Sequence, residues 1–87
     1  MRENQLTPGV IQIAFEKLFG GGRGVEKFST SGLRFVKLEG GAILVEQNPA
    51  KKSKWAQLAN SGHKVAWVIR DQKYLARVID GEVIMLS

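Results

Sequence analysis

Cysteine is absent from this chain of 87 residues, and histidine occurs once, as His63. Without cysteine the protein has no disulfide, no thiolate ligand for zinc and no thiol nucleophile. One histidine cannot supply a pair of imidazole ligands, and its place beside Gly62 at a predicted helix end indicates a surface or capping residue rather than a general acid. The sequence therefore predicts no metal, no cofactor and no small-molecule substrate.

Acidic side chains are also few, since eight Asp and Glu stand against thirteen Lys and Arg, for a formal net charge of +5. They are scattered among basic neighbours, so no two are spaced for glycoside hydrolysis or two-metal catalysis, and we expect no enzyme. Residues 48–77 contain seven basic side chains and one acidic one, a local charge of +6. Such a charge attracts nucleic acid, an acidic protein face or an anionic membrane, although a basic composition can also serve solubility alone.

Long apolar runs are missing as well, because no run approaches the roughly 18 residues that span a bilayer. The first residues, MRENQLTPGV, lack the basic, apolar and small-residue order of a signal peptide. With 44% hydrophobic residues in 87 positions, the chain is predicted to form one small basic domain over residues 1–87. The lack of cysteine fits a reducing compartment, so the expected location is cytoplasmic, with no membrane partner.

Two proline-containing caps predict two helices. Thr7 followed by Pro8 is typical of a helix start, and apolar residues at positions 11, 14, 15 and 18 recur at helical spacing until a glycine at position 20. Asn48 followed by Pro49 predicts the start of the second helix, and Gly62 is placed for a left-handed cap at its end.

Short extended runs bounded by turn residues predict the strands. Two runs lie before the second helix and are joined at Gly40-Gly41; a turn of two residues there would place Val36 opposite Val45. Three more runs follow, KVAWVIR, KYLARVI and EVIML, joined by turns at residues 71–72 and 80–81. The predicted class is α+β, an antiparallel sheet of four to six strands packed with two helices in the order α-β-β-α-β-β-β. A further short strand at residues 25–29 is left open.

Alternation along the last three strands separates two sheet faces, provided that both turns have two residues. The face expected to pack on the helices contains Val65, Trp67, Ile69, Tyr74, Ala76, Val78, Val83 and Met85. The opposite face, an apolar strip edged with cations, contains Ala66, Val68, Arg70, Lys73, Leu75, Arg77, Ile79, Ile84 and Leu86. A sheet face that is neither polar nor covered indicates a partner.

Cations and flat side chains occur together between residues 51 and 77, which favours binding of single-stranded nucleic acid. Trp55 is either a core residue or a stacking platform. The loop FGGGRG has the letters of a phosphate-binding GxxG clamp but is also typical of a flexible linker. Whether the strand is DNA or RNA stays open. The predicted binding residues are Lys51, Lys52, Lys54, Trp55, Lys64, Arg70, Lys73, Leu75, Arg77 and Arg23.

The stretch KKSKWAQLANSGHKVAWVIRDQKYLARVIDGEV combines a lysine-rich helix, a Gly-His break and a basic hairpin closed by Asp-Gly. In this pattern it resembles the small archaeal single-stranded DNA-binding ThermoDBP-related proteins. The resemblance implies an antiparallel sheet with helices and an apolar cleft flanked by basic residues.

A protein-interaction module is the alternative function, in which the apolar sheet face of a small accessory subunit docks on an acidic partner or on a second copy as a homodimer. The dependence of binding affinity on salt concentration distinguishes the two hypotheses. Binding to a nucleic-acid backbone weakens steeply with salt, whereas an apolar interface hardly responds.

Overall fold

The computed structural model describes residues 6–86. Within them lie helices α1 (Pro8–Gly20) and α2 (Lys54–Asn60) and strands β1 (Val25–Lys27), β2 (Arg34–Lys37), β3 (Ile43–Glu46), β4 (Val65–Arg70), β5 (Lys73–Ile79) and β6 (Glu82–Met85). The strands form one antiparallel sheet in chain order, each paired with its sequence neighbours. This architecture confirms the predicted α+β class, and β1 is the short strand that the sequence left open. Neither helix has the length and apolar character that crossing a bilayer requires.

Helix α1 begins and ends at the predicted residues and covers one face of the sheet. The Thr7 hydroxyl accepts a hydrogen bond from the Val10 amide at 3.2 Å, and Gly21 ends the helix with a φ of 72°, where a residue without Cβ is favoured. Its buried side chains are those of the four apolar positions predicted from the sequence, Ile11, Ala14, Phe15 and Leu18. The helix and the sheet face beneath it form the core, with Ile11, Ala14, Phe15, Leu18, Val36, Ala42, Leu44, Ala66, Val68, Ala76 and Val78.

The connection between β2 and β3 is one residue longer than predicted. Leu38 is hydrogen-bonded to the carbonyl of Ala42 at 2.8 Å, so residues 39–41 form the turn. Val36 consequently lies opposite Leu44 and not opposite Val45. The predicted register is wrong because Glu39 joins the two glycines in a short 3-10 turn.

Helix α2 begins five residues later than predicted. Asn48 closes a turn instead, since its side-chain oxygen accepts a hydrogen bond from the Ala50 amide at 2.9 Å. Ser53 is the actual N-cap and accepts from the Ala56 amide at 3.1 Å. Lys51 and Lys52 therefore precede the helix, and Lys54 is its first residue.

A β-bulge in the β4–β5 hairpin decides which side chains share a face. Both predicted two-residue turns are present, since Arg70 lies opposite Lys73 and the β5–β6 turn is equally short. The register nevertheless shifts within the hairpin: Ile69 lies opposite Tyr74, but Val68 lies opposite Ala76. Leu75 is the extra residue, and its insertion reverses the alternation for the rest of β5.

The predicted assignment of the two faces is wrong for β4, whereas Ala76, Val78 and Val83 lie on the covered face as predicted. The face under α1 holds Ala66 and Val68 together with Ala76 and Val78, all fully buried. Trp67, Ile69 and Tyr74 lie on the opposite face. The bulge moves Arg77 to that opposite face too, because it lies across from Trp67. The two β4 side chains that were expected on the open face, Ala66 and Val68, are therefore the ones that lie under α1.

The β5–β6 turn is held by hydrogen bonds with residues before β4 and with helix α1. Asp80 has a φ of 52°, one carboxylate oxygen lies 2.7 Å from His63 Nδ1, and the other accepts from the Lys64 amide at 2.9 Å. The hydrogen bond with His63, followed by that from Lys64, holds the pKa of Asp80 below its ordinary value of 3.8. Gln12 of α1 donates to the carbonyl of Gly81 at 2.9 Å, which ties the helix to the same turn.

We predict that Leu44→Ala lowers the free energy of unfolding by about 2–5 kcal/mol, because it removes a fully buried side chain from the α1 interface. The matched control is Ile13→Ala on the outer side of α1, where the side chain is 59% exposed and the change should stay within about 0.5 kcal/mol. Urea unfolding measures both variants. Equal losses would contradict the packing described for α1.

We also predict a loss of stability on acidification that depends on Asp80. A carboxyl group with a lowered pKa in the folded state stabilises the fold above the unfolded-state pKa, and this contribution disappears as the pH falls from about 3.8 through the folded value. Asp80→Asn keeps a residue that tolerates positive φ but removes the charge. Unfolding curves from pH 5 to pH 2 should therefore converge for wild type and Asp80→Asn at the acidic end. Asp71→Asn in the other hairpin turn is the control, and a parallel offset at every pH would contradict the assignment.

Candidate nucleic-acid interface

Three aromatic side chains form a row on the sheet face opposite α1. Trp67 of β4 makes edge-to-face contacts with Trp55 of α2 at 5.7 Å between ring centroids and with Tyr74 of β5 at 4.9 Å. Both tryptophans are half-buried, whereas Tyr74 is 53% exposed. Together with Phe35, Val45, Ile69 and Arg77, they make up a surface that we call the aromatic face.

A groove of about 230 Å³ runs across the aromatic face beside Tyr74. Its other wall includes Phe28, which is 37% exposed and stacks on Phe35 at 4.4 Å between centroids. An adjoining depression of about 270 Å³ extends the groove to Trp55. We call the two together the aromatic groove, which is lined by Phe28, Leu33, Ile43, Val45, Glu46, Gln47, Asn48, Lys51, Ser53, Trp55, Trp67, Ile69 and Tyr74.

Polar side chains along the groove are hydrogen-bonded to other protein groups, mostly of the backbone. Trp67 Nε1 donates to Gln47 Oε1 at 2.6 Å, and Gln47 Nε2 donates to the carbonyl of Asn48 at 3.0 Å. The Asn48 side-chain oxygen accepts from the Ala50 amide. These bonds hold the segment after β3 against β4, and the groove consequently offers mainly flat apolar surface.

Positive charge surrounds the aromatic groove. Lys51 lines it, while Lys54 Nζ and Arg77 Cζ lie over the Trp55 ring, at 4.5 Å and 4.2 Å from its centroid. Among the described residues that line the groove, Glu46 is the one carboxylate, and it is ion-paired with Arg34 at 3.0 Å. The groove can therefore attract an anion without an unpaired carboxylate opposing it.

Half of the predicted binding residues lie together. Lys51, Lys54, Trp55 and Arg77 meet at one end of the aromatic groove, and Lys52 lies beside them in the segment before α2. Trp55 is neither a sealed core residue nor a free stacking platform, because two cations lie over its ring. The Trp55 ring instead makes cation–π contacts with Lys54 and Arg77.

The other predicted residues lie away from the groove. Lys64 lies near the end of α1, Arg23 is exposed in the loop after that helix, and Arg70 and Lys73 face each other at the β4–β5 turn. Leu75 packs against the core beneath α1. Its predicted position on the open binding surface is wrong, because the face that it shares with the core strands is the covered one.

Sequence reasoning missed the exposed rings of Tyr74 and Phe28 and placed Trp67 in the interior. A signal was present in the alanines, because small residues at positions 66 and 76 are what a closely packed helix requires on the sheet beneath it. The bulky ring of Trp67, which alternates with Ala66 and Val68, must then lie on the other face. The bulge at Leu75 has no comparable signal in the sequence that would have predicted the register shift.

No group of three or more side chains suited to holding a metal ion occurs in residues 6–86. Comparisons of the chain with protein-family models, with curated proteins and with solved structures give no match. The resemblance to the ThermoDBP-related proteins therefore stays a prediction.

We predict that Leu75→Ser lowers the free energy of unfolding by about 1–3 kcal/mol, because it removes an apolar side chain that packs on the core. The neighbouring change Tyr74→Ser should cost less, since more than half of that side chain is exposed. Thermal or urea unfolding of both variants checks the order. A larger loss for Tyr74→Ser would show that the faces of β5 are assigned the wrong way round.

Proposed function

We propose that the protein is a non-catalytic, cytoplasmic nucleic-acid-binding protein that holds single-stranded DNA or RNA on its aromatic face. The observation that carries this proposal is the exposed ring of Tyr74 beside an apolar groove whose edge bears Lys51, Lys54 and Arg77. Aromatic rings stack on unpaired bases for about 1–3 kcal/mol per base, and cations neutralise the phosphates between them.

The geometry favours single strands over duplexes. Stacking on Tyr74 requires access to the flat face of a base, which a duplex keeps inside its own stack. Sequence readout of a duplex usually places a helix in the major groove. Helix α2, the helix on the aromatic face, has seven residues and directs Trp55 against Trp67 rather than outward.

Weak base preference follows from the hydrogen bonding of the groove. Gln47 and Asn48 are the uncharged amide side chains that line it, and both are engaged with other protein groups. A base in the groove would meet mainly apolar walls and rings, which every base can contact with its π-face. We therefore expect homopolymer strands to differ less in affinity than single and double strands do.

A protein-interaction module is the second candidate, and the free edge of β6 favours it. Ile84 and Met85 are 38% and 46% exposed on this edge strand, and an exposed apolar edge can pair with a strand of an acidic partner or of a second copy. Such an interface would bury apolar surface rather than release counterions. Its affinity would accordingly change little with salt.

The test is fluorescence anisotropy with labelled single-stranded and duplex oligonucleotides of equal length at two or more salt concentrations. We predict tighter binding of the single strand and a steep loss of affinity with salt. Tyr74→Ala should weaken single-strand binding by about 5- to 150-fold, the equivalent of one lost stacking contact, with little change in the salt slope.

Ile13→Ala serves as the matched control, because this exposed side chain belongs to α1 on the other side of the sheet. Its affinity should equal that of the wild type. Equal or tighter binding of duplex, or salt-insensitive binding that Tyr74→Ala leaves unchanged, would reject the proposal. Salt-insensitive self-association through β6 would favour the second candidate.

A further inference from the structure

Arg77 is a cation of the aromatic face whose side chain rises from the sheet itself, from strand β5. It lies between Trp67 of β4 and Ile84 of β6 in the strand register and is half-buried. Its guanidinium carbon lies 4.2 Å from the centroid of the Trp55 ring, and Nε is enclosed without an acceptor among the described residues. Stacking on Trp55, rather than a hydrogen bond that Nε donates to a described residue, therefore orients this guanidinium.

Arg34 provides the contrast within the same chain. Its guanidinium also lies over an aromatic ring, that of Phe19 at 5.5 Å, but it is hydrogen-bonded to Glu46 through both Nε and Nη2. The hydrogen bonds with Glu46, helped by its charge, hold the pKa of Arg34 above the ordinary value against a smaller opposing effect of burial.

Within residues 6–86, Arg77 has no comparable carboxylate partner. A guanidinium that is partly removed from water and held rigid without a counter-ion carries a desolvation cost that an incoming anion would offset. Its two terminal nitrogens have no acceptor among the described residues and, unlike Nε, are not sealed off. They present parallel N–H donors, the arrangement that binds two oxygens of a phosphate.

We propose that Arg77, supported by Trp55, is the phosphodiester anchor of the aromatic face. This inference rests on the proposed function and assigns one phosphate of the strand to a fixed site, whereas Lys51 and Lys54 act as flexible charges beside it. Tyr74 lies three residues earlier in β5, but the bulge places the two residues opposite Ile69 and Trp67, so they are roughly 7 Å apart along the sheet. One short stretch of nucleic acid can therefore place a phosphate on Arg77 and a base on Tyr74.

The first experiment compares Arg77→Gln, Arg77→Lys and Arg34→Gln for binding of a single-stranded oligonucleotide of about 12 nucleotides. Arg77→Gln should weaken binding by about 10- to 100-fold and reduce the magnitude of the salt slope by about 0.7, the value for one lost phosphate contact. Arg77→Lys should keep the slope yet bind less tightly than wild type, because an ammonium group lacks the two-pronged geometry.

Arg34→Gln is the matched control, since it removes a ring-stacked arginine that is already neutralised by Glu46. It should lower stability and leave affinity and slope unchanged. Unfolding curves for each variant ensure that affinities are compared only where the protein is folded. If Arg77→Gln binds like wild type, or if the two glutamine variants lose affinity equally, the anchor is overturned while the proposed function can still stand.

A second measurement on the wild-type chain does not depend on any variant. In ¹⁵N-labelled protein, the Nε–Hε signal of Arg77 should shift saturably on addition of inorganic phosphate, while that of Arg34 should not. A saturable response of Arg77 to an acidic peptide but not to a single strand would overturn the inference in favour of an acidic partner. A response to phosphate in a protein that binds no oligonucleotide would overturn both the anchor and the proposed function.

Discussion

Burial of one side of α1 against the sheet is the interaction on which the rest of the structure depends. Ile11 and Leu18 are fully enclosed there, and each such aliphatic side chain contributes about 1.5–3 kcal/mol when removed from water. Helix α1, with thirteen residues, covers the sheet face on which it packs. The other face receives only the seven residues of α2, so the rings and cations beyond that short helix remain accessible. The open aromatic face is thus a result of how unequally the two helices cover one sheet.

The parts of the fold that depend on local chemistry could be predicted from the sequence. Thr7 with Pro8 marks the start of α1, and Asp80-Gly81 marks the last hairpin, because few residues suit those backbone conformations. The start of α2 could not be predicted in the same way. Asn48 suits both a cap and a turn, and its role is decided by bonds that hold its segment to Trp67, a residue of a distant strand.

The composition of the candidate site was visible in the sequence, but its position was not. The cluster of cations and aromatic residues in residues 51–77 contains Lys51, Trp55, Trp67 and Tyr74, which line one side of the groove, whereas the wall formed by Phe28, Leu33 and β3 lies outside that segment. The assignment of faces needed the bulge at Leu75, a single-residue register shift that period-two alternation cannot reveal. That shift exchanges the environments of Arg77 and Ala76 and brings the arginine to the tryptophans. Tertiary pairing, rather than the pattern of any one strand, determines which side chains meet at the groove.

The order of the strands has a consequence for how the chain folds. Every strand pairs with its neighbours in the chain, and apart from the β3–β4 connection, which contains α2, the connections are short, so the sheet can extend at a small cost in loop-closure entropy. Helix α1 is the exception, because it precedes the sheet in sequence yet packs on its last strand and bonds to Gly81 through Gln12. We expect the hairpins to form early and the helix to dock late, when both ends of the sheet are in place. The slow step of folding would then be the one that closes the core.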